Sequence, residues 1–519
     1  MNLHIRTAAS VASLAGALLL LPAVATAAPT PLAAPVLPGV AQLPGPIAPA
    51  AKPSATMGTL KTSPDIAVAG TKFTITGTGL PANKAVTITW GTAKVTWVVD
   101  ARPDSVDYLG RQADKLTVVL AQTATDASGK FVVALKAPQD FGGIHDLYAV
   151  VDGVQVAKGG FLIDRSATIS PKSGPIGTML TVTYTGLGSS LYEGGASLLY
   201  DNKYVGAMMA NWTRGVAVAH IRASGPVGRH TIEAADAISF KYLNIQQSPI
   251  PWGTGYLLSF NVTKDNGRPK ARIDWPANVA PTLDAKTTLQ LASASTGSVA
   301  TAQLASTSGA VNSQVAITAS GLIPNTPVDL EWATVVGNRV NCTGTCWAFV
   351  SVPLGTVTST SDGQLAGKIK VPDGLGGWHV VQLIQNGQTK AQVSYFVKRS
   401  IAGNGVSSFR LKAGQRFTVH LKGLGWTQLD NTIAVDYDNS YVGYGCGFNS
   451  QGDTVMNLVA TGGPGTHLID MYPLLYTQQP SYGNTPYGMI PVLTYEKDVP
   501  GLALGYTLPA IRLAITIVK

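Results

Sequence analysis

The chain repeats itself, and that repetition constrains its fold more than any single motif. Gly177-Thr-Met-Leu-Thr-Val-Thr-Tyr-Thr-Gly-Leu-Gly188 is matched by Gly414-Gln-Arg-Phe-Thr-Val-His-Leu-Lys-Gly-Leu-Gly425, an offset of 237 from 177 to 414. The same offset pairs Tyr200-Asp-Asn-Lys-Tyr-Val-Gly206 with Tyr437-Asp-Asn-Ser-Tyr-Val-Gly443, and Gly228 and His230 with Gly465 and His467. A second set precedes it. Gly79 to Trp90 (GLPANKAVTITW) matches Gly321 to Trp332 (GLIPNTPVDLEW), and Gly142-Gly-Ile-His145 matches Gly376-Gly-Trp-His379. Asp152-Gly153 then matches Asn386-Gly387, and Arg165-Ser166 matches Arg399-Ser400. Self-similarity of this kind means a structural unit made more than once. The order is A1–B1–A2–B2, a two-module unit duplicated.

The boundaries read as 1–27 for an export signal, 28–56 for a Pro/Ala-rich linker, 57–165 for A1 and 166–285 for B1. A linker at 286–299, A2 at 300–399 and B2 at 400–519 follow. The Ser/Thr/Ala-rich stretch from Ala292 to Ser308 is the expected hinge between the two units. For 519 residues, four modules agree with roughly 100–200 residues per domain.

Within each module the pattern is that of strands. Phe73 and Ile75 alternate with Lys72, Thr74 and Thr76; Val86, Ile88 and Trp90 alternate with Thr87 and Thr89. Period-two alternation puts one face on a core and one in water. Asp152-Gly153 separates two such runs, and a turn of this kind needs positive φ at both central residues. The 56 Gly and 32 Pro fit many short strands joined by turns. The expected fold class is all-β: tandem immunoglobulin-like β-sandwiches.

The stretches Gly70 to Trp90 and Gly142 to Gly153, with their copies in A2, resemble bacterial extracellular immunoglobulin-like repeats of the IPT/TIG type. Gly177 to Gly188 and Gly414 to Gly425 carry weaker forms. The resemblance rests on Gly/Thr patterning and covers most of 57–519. It implies sandwich modules used as extracellular spacers, adhesion modules or appendages of carbohydrate-active enzymes; a shared fold does not fix the function.

The N-terminus points to export. His4 and Arg6 form a thin basic region, Val11 to Leu21 is apolar but too short to span a bilayer, and Ala25-Thr26-Ala27 is a cleavage signal. No Cys follows the apolar region and no LPxTG-type signal is found. Release, or non-covalent retention at the bacterial cell surface, is expected. Leu502 to Val518 is interrupted by Gly505, Thr507, Pro509 and Arg512 and reads as a final strand rather than a membrane span. The net charge of +9 is spread along the chain, with no basic run of the nucleic-acid-binding kind. Cys342 and Cys346 are close enough to bridge across a tight loop in an oxidising compartment. Cys446 is left over, with burial, a lone thiol or a bridge to another chain all open.

No nucleophile elbow, zinc-protease motif or phosphate loop is present. The repeat-paired histidines, His145 with His379 and His230 with His467, each follow a Gly-containing turn, and no Ser or Cys recurs at a matching nucleophile position. They read as hydrogen-bonded turn residues. Asp100, Asp104 and Asp107 could ligate Ca²⁺, but no known calcium-loop pattern supports it. Neither a metal nor a cofactor is expected. The repeated hairpin offers the candidate contact residues: Tyr200, Asp201, Asn202 and Tyr204 in B1, and Tyr437, Asp438, Asn439 and Tyr441 in B2. Asx residues suit a tight turn; Tyr rings suit a sugar or protein surface. Trp212, Trp252, Tyr256 and Trp347 are weaker aromatic candidates. Residues 239–261 and 471–496 are long for loops and rich in Tyr, Gln, Pro and Asn, a usual place for recognition.

The expectation is a secreted or cell-surface structural or adhesive protein without catalysis. Its partner would be an extracellular protein, a glycan or a cell-wall polymer, with self-association open. A carbohydrate- or wall-binding protein and an unfamiliar secreted enzyme are the alternatives.

Overall fold

The computed structural model describes residues 42–519 apart from 103–104, 190–193, 211–212, 237–240, 242, 245, 247–254, 275–299, 338–346, 426–431, 476–489 and 495–507. The signal segment 1–27, the linker 286–299, Cys342, Cys346, Asp104, Trp212 and Trp252 lie outside the described residues. Every regular element among the described residues is a β-strand, and no helix there is long and apolar enough to cross a membrane.

Each module is a pair of sheets. In A1, Ser105–Ala124, Ala85–Arg102, Gly143–Val151 and Val154–Ile163 lie side by side and face Lys72–Thr78 and Phe131–Lys136. Strand Lys52–Ser63 joins the two. Its first half pairs in parallel with Val154–Ile163, and its second half pairs antiparallel with Lys72–Thr78. This strand begins within the segment expected to be linker, and Leu43 packs against the A1 core. That core is built from the alternating residues read from sequence, with Phe73, Ile75, Val86, Ile88 and Trp90 all buried. Fully burying such a side chain contributes about 1.5–3 kcal/mol. A2 repeats the plan. Gln388–Lys398, Gly377–Gln385, Pro327–Gly337 and Trp347–Thr358 form one sheet, and Thr301–Leu304, Gln314–Ser320 and Leu365–Lys370 form the other.

The predicted hairpin turns are present. Asp152-Gly153 and Asn386-Gly387 have positive φ at both residues, as do Asp201-Asn202 and Asp438-Asn439. In B1, Gly195–Tyr200 pairs with Lys203–Met209, with a shift between Leu198 and Leu199. In B2, Thr432–Tyr437 pairs with Ser440–Cys446, with a shift between Val435 and Asp436, 237 residues later.

The modules are not four separate bodies. A1 and A2 keep their own cores, but B1 and B2 share one. It joins Leu180, Val182, Leu198 and Phe260 of B1 to Phe417, Val419, Val435 and Ile515 of B2. The reason is visible in the strands. Every residue of Gly195–Tyr200 and of Thr432–Tyr437 is buried, so both faces of these strands are covered. The B modules also exchange edges. Arg272–Ile273, from the end of B1, pairs with Ile511–Val518 of B2. In return Val492 of B2 bridges in parallel to Ala207 of B1, where Leu493 N donates to Ala207 O at 2.9 Å.

Candidate functional site

Three polar arrangements stand out among the described residues: one at each A–B joint, one within each repeated B hairpin and one at the seam between B1 and B2. The first is the joint between A and B within each unit. Its backbone approach requires glycine: a Cβ on Gly142 would stand 1.7 Å from Gly186 O, and one on Gly376 would stand 1.8 Å from Gly423 O. Gly142 N donates to Leu187 O, and Gly376 N to Leu424 O, both at 2.8 Å. The repeated histidines sit beside this approach. His145 stacks on Trp90 at 4.2 Å, with Nδ1 2.7 Å from Gly91 O and Nε2 2.7 Å from Phe141 O. His379 stacks on Trp332 at 4.8 Å, with Nδ1 3.2 Å from Ala333 O and Nε2 2.9 Å from Leu375 O. Burial pushes the His379 imidazole down to about 4, outweighing the carbonyls that favour its charged form.

In the first unit this joint carries an ion pair. Asp140, fully buried, accepts from Trp90 Nε1 at 2.8 Å, from Phe141 N at 2.8 Å and from Arg214 Nη2. Arg214 also reaches Ala93 O at 3.0 Å, and its guanidinium lies over the Phe141 ring.

The second arrangement is the repeated hairpin. His230 Nδ1 lies 2.6 Å from Asp201 Oδ2 and its Nε2 lies 2.8 Å from Pro226 O. His467 repeats this with Asp438 at 2.6 Å and Gly463 O at 2.8 Å. Asp201 and Asp438 each accept one more bond, from Thr231 N and Leu468 N at 2.9 Å. A histidine oriented by a carboxylate is half of a nucleophile-activating array. Activation needs the other ring nitrogen to face the nucleophile, and here it faces a carbonyl. Burial works against the His467 cation, but the bond to Asp438 and its charge prevail and raise the pKa.

The third arrangement is the seam between B1 and B2. Arg222 Nε binds Asp470 at 2.7 and 3.0 Å, and its Nη2 donates to Leu513 O at 2.8 Å. Asn439 Nδ2 donates to Arg222 O at 2.7 Å and Ser224 Oγ at 2.8 Å. Asp265 accepts from Thr466 N at 2.8 Å. Asp436 is 1% exposed, and neither of its oxygens has a hydrogen-bond partner. Burial, then the charge of Asp470, raise its pKa well above the usual carboxylate range, which favours its neutral form.

The expected contact residues divide between turn and seam. Asp201, Asn202, Asp438 and Asn439 make the predicted turns. The tyrosines are not displayed as ring platforms. Tyr200, Tyr204 and Tyr437 are buried, and Tyr441 is half-buried. Tyr200 OH donates to Ser224 O at 2.8 Å and Tyr437 OH to Thr461 O at 2.9 Å. Burial first, then Asp436, push the Tyr441 phenol up to about 12. These rings lie inside because the B modules pack on each other, a contact the separate-module expectation omits. Tyr256 likewise donates to Arg165 O at 2.7 Å. Asp100 and Asp107 sit opposite each other near the end of a long hairpin. Cys446 ends an edge strand and is exposed. Arg214, Arg222, Asp436 and Asp470 escape a motif search. Their one signal is a charge set within an apolar run, as in Thr432–Tyr437 (TIAVDY).

No family model and no curated protein matches the chain. Solved structures similar to parts of it include a mutant Salmonella alpha-2-macroglobulin at 8% identity. That match covers 87% of this chain and 30% of that one, with a TM-score of 0.16. A putative membrane-anchored protein from Corynebacterium diphtheriae is 12% identical over 66% of this chain and 91% of that one, TM-score 0.16. The Yersinia pseudotuberculosis adhesin InvE is 12% identical over 49% and 66%, TM-score 0.15. The chain spans under a third of the length of the macroglobulin. At such scores these likenesses decide nothing about function.

Proposed function

We propose that this chain is an exported, non-catalytic structural or adhesive protein of bacterial immunoglobulin-like modules, IPT/TIG-type in its sequence pattern. One observation carries the reading: the described groups best suited to catalysis are taken up in structural contacts, the histidines within their modules and two buried acids in ion pairs between modules. Both nitrogens of His145, His379, His230 and His467 face main-chain or carboxylate oxygens. Asp140 and Asp470 are taken up by Arg214 and Arg222. Groups held this way stiffen a body and do not themselves face a substrate.

Its partner on this reading is an extracellular protein, a glycan or a cell-wall polymer. The glycan alternative loses support with the burial of the tyrosine rings. The test pairs a pull-down on cell walls and a glycan array with turnover assays on esters, glycosides and peptides, using the purified full chain. Retention without turnover is expected. Turnover that disappears in His230→Ala or His467→Ala would overturn the proposal.

A further inference from the structure

The seam between B1 and B2 encloses one acid that the fold does not require. Asp436 lies in Thr432–Tyr437, every residue of which is buried, and is itself 1% exposed. In B1 the position 237 residues earlier is Leu199, in the corresponding strand Gly195–Tyr200 and also buried. The duplicated strand therefore folds with a hydrocarbon at this place. A carboxyl there forgoes water, and neither of its oxygens has a hydrogen-bond partner. Such a group is costly to enclose unless it is neutralised.

The groups around it come from both modules. Asp470 is its register partner on the neighbouring strand, so the two carboxyls stand side by side, with Cβ atoms about 5 Å apart. Arg222 of B1 binds Asp470. Arg512, the register partner of Asp470 on its other side, pairs with Asp274 at 2.5 Å. Arg272 also reaches Asp274 but lies in water. Tyr441 is the register partner of Asp436 across the hairpin, and Tyr204 of B1 and Tyr472 lie close by. Burial first, then nearby acids that include Asp436, raise all three phenols. His220, on the strand of Arg222, turns its ring to Thr181, and Asp438 is held by His467. Among the described residues the enclosed charges are thus Asp274, Asp436 and Asp470 against Arg222 and Arg512. One negative charge is left over. Burial raises Asp470 as well, against the pull of Arg222, so the two neighbouring carboxyls compete for one proton. The bonds from Arg222 favour the ionised form of Asp470, while Asp436 has no donor to favour its own. A proton that balances the seam is best placed on Asp436.

We propose that the B1–B2 seam is a proton-gated joint, held closed while Asp436 carries a proton and loosened when it ionises. A carboxylate formed there has a like charge beside it and no donor, and it reaches water only when B2 draws back from B1. The closed form thus binds the proton more tightly than an opened one, in which Asp436 regains the ordinary carboxylate value of about 4. Acid therefore favours closure and rising pH favours opening. The balance moves about tenfold per pH unit from about pH 4 until the closed form itself loses the proton. Such gating belongs to the joint and is independent of what the chain binds.

Two bonds that cross the seam report on it: Leu493 N to Ala207 O at 2.9 Å and Met209 N to Thr494 Oγ1 at 2.8 Å. Hydrogen exchange of the full chain between about pH 4 and about pH 9, corrected for the intrinsic exchange rate, gives protection factors for both amides. Both should fall about tenfold per pH unit at the acid end of that range, while the Ile75 amide, in the A1 core, does not follow. Asp436→Leu, which places the residue of B1 at this site, should flatten the slope and leave both amides at neutral pH as protected as in acid. Asp436→Asn, an isostere, should flatten it too, and serves if the leucine variant fails to fold. His467 titrates in the same sense, because its raised pKa also favours the folded form in acid. A slope that survives both substitutions therefore belongs to His467 and overturns the proposal. Protection that rises with pH overturns it as well. So does a dependence on added Na⁺ or Ca²⁺ at fixed pH in place of the pH slope, which would assign the site to a cation.

Discussion

The two A–B joints share a backbone and differ in their side chains. Both bring a glycine of A against a carbonyl of B, and both set a histidine on a tryptophan beside it. In the first joint Asp140 and Arg214 are buried and paired. In the second, Gly374 and Gln451 occupy their places, and Gln451 is exposed. The acid has moved one position, to Asp373, which pairs with Lys422 at 2.5 Å on the surface. The space is filled by Phe448, which packs with Ala333, Val335, Leu375 and Val380. The difference teaches that what the two joints have in common is the close backbone approach. Side-chain chemistry differs around it, a buried ion pair in the first and an apolar plug with a surface salt bridge in the second.

Breaking the pair should separate the joints most sharply. Arg214→Met leaves the enclosed Asp140 carboxyl without its partner, a loss of about 3–5 kcal/mol. Gln451→Met should stay within about 0.5 kcal/mol. Urea denaturation of the two variants reads the contrast, and equal losses would remove the ion pair from the account. Next come Gly142→Ala and Gly376→Ala. Each drives a methyl into a carbonyl and should cost about 3 kcal/mol, the upper end of ordinary overpacking. Limited proteolysis should then release A from B in the unit that was altered.

Acid should act on the second joint. The pKa of His379 is lowered to about 4 in the folded chain. It is neutral when folded and takes a proton once unfolded, so its stabilisation is complete above about pH 6.5. That stabilisation is lost as pH falls towards 4, with roughly 2 kcal/mol gone by pH 5. His379→Gln should flatten urea midpoints between pH 7 and pH 5. His145, 3.9 Å from Asp140, has an acid beside it that His379 lacks. The smallest effect is expected from Lys422→Ala. Its partner is half-exposed, so less than about 1 kcal/mol should be lost, and salt should mask it.

Much of the fold was legible in the residues. Alternation at Phe73–Ile75 and Val86–Trp90 places those side chains in the A1 core, and Asx-Gly and Asp-Asn pairs mark turns of positive φ. The candidate site was legible only as turns. Tyr200 and Tyr437 look like display residues because a lone sandwich has a wet outer face, and period-two reading assumes one. GASLLY and TIAVDY break that alternation, and unbroken apolar strands report a covering on both sides. Which surface supplies the covering depends on residues hundreds of positions away, and no local pattern carries that. The ion pair Asp140–Arg214 is hidden for the same reason, 74 residues apart and in different modules.

The exchanged edges set a schedule for how this molecule comes into being. Met209 waits for Thr494, 285 residues later in the chain, so B1 can collapse early but cannot be finished until B2 arrives. Contacts this distant are slow to form, and until they do the nascent first half presents a sticky, half-dressed flank. A1, which draws on nothing downstream for its own core, is free to set first. Truncation after A2 would therefore not yield a shorter version of the protein, but a folded head on a B1 that never closes.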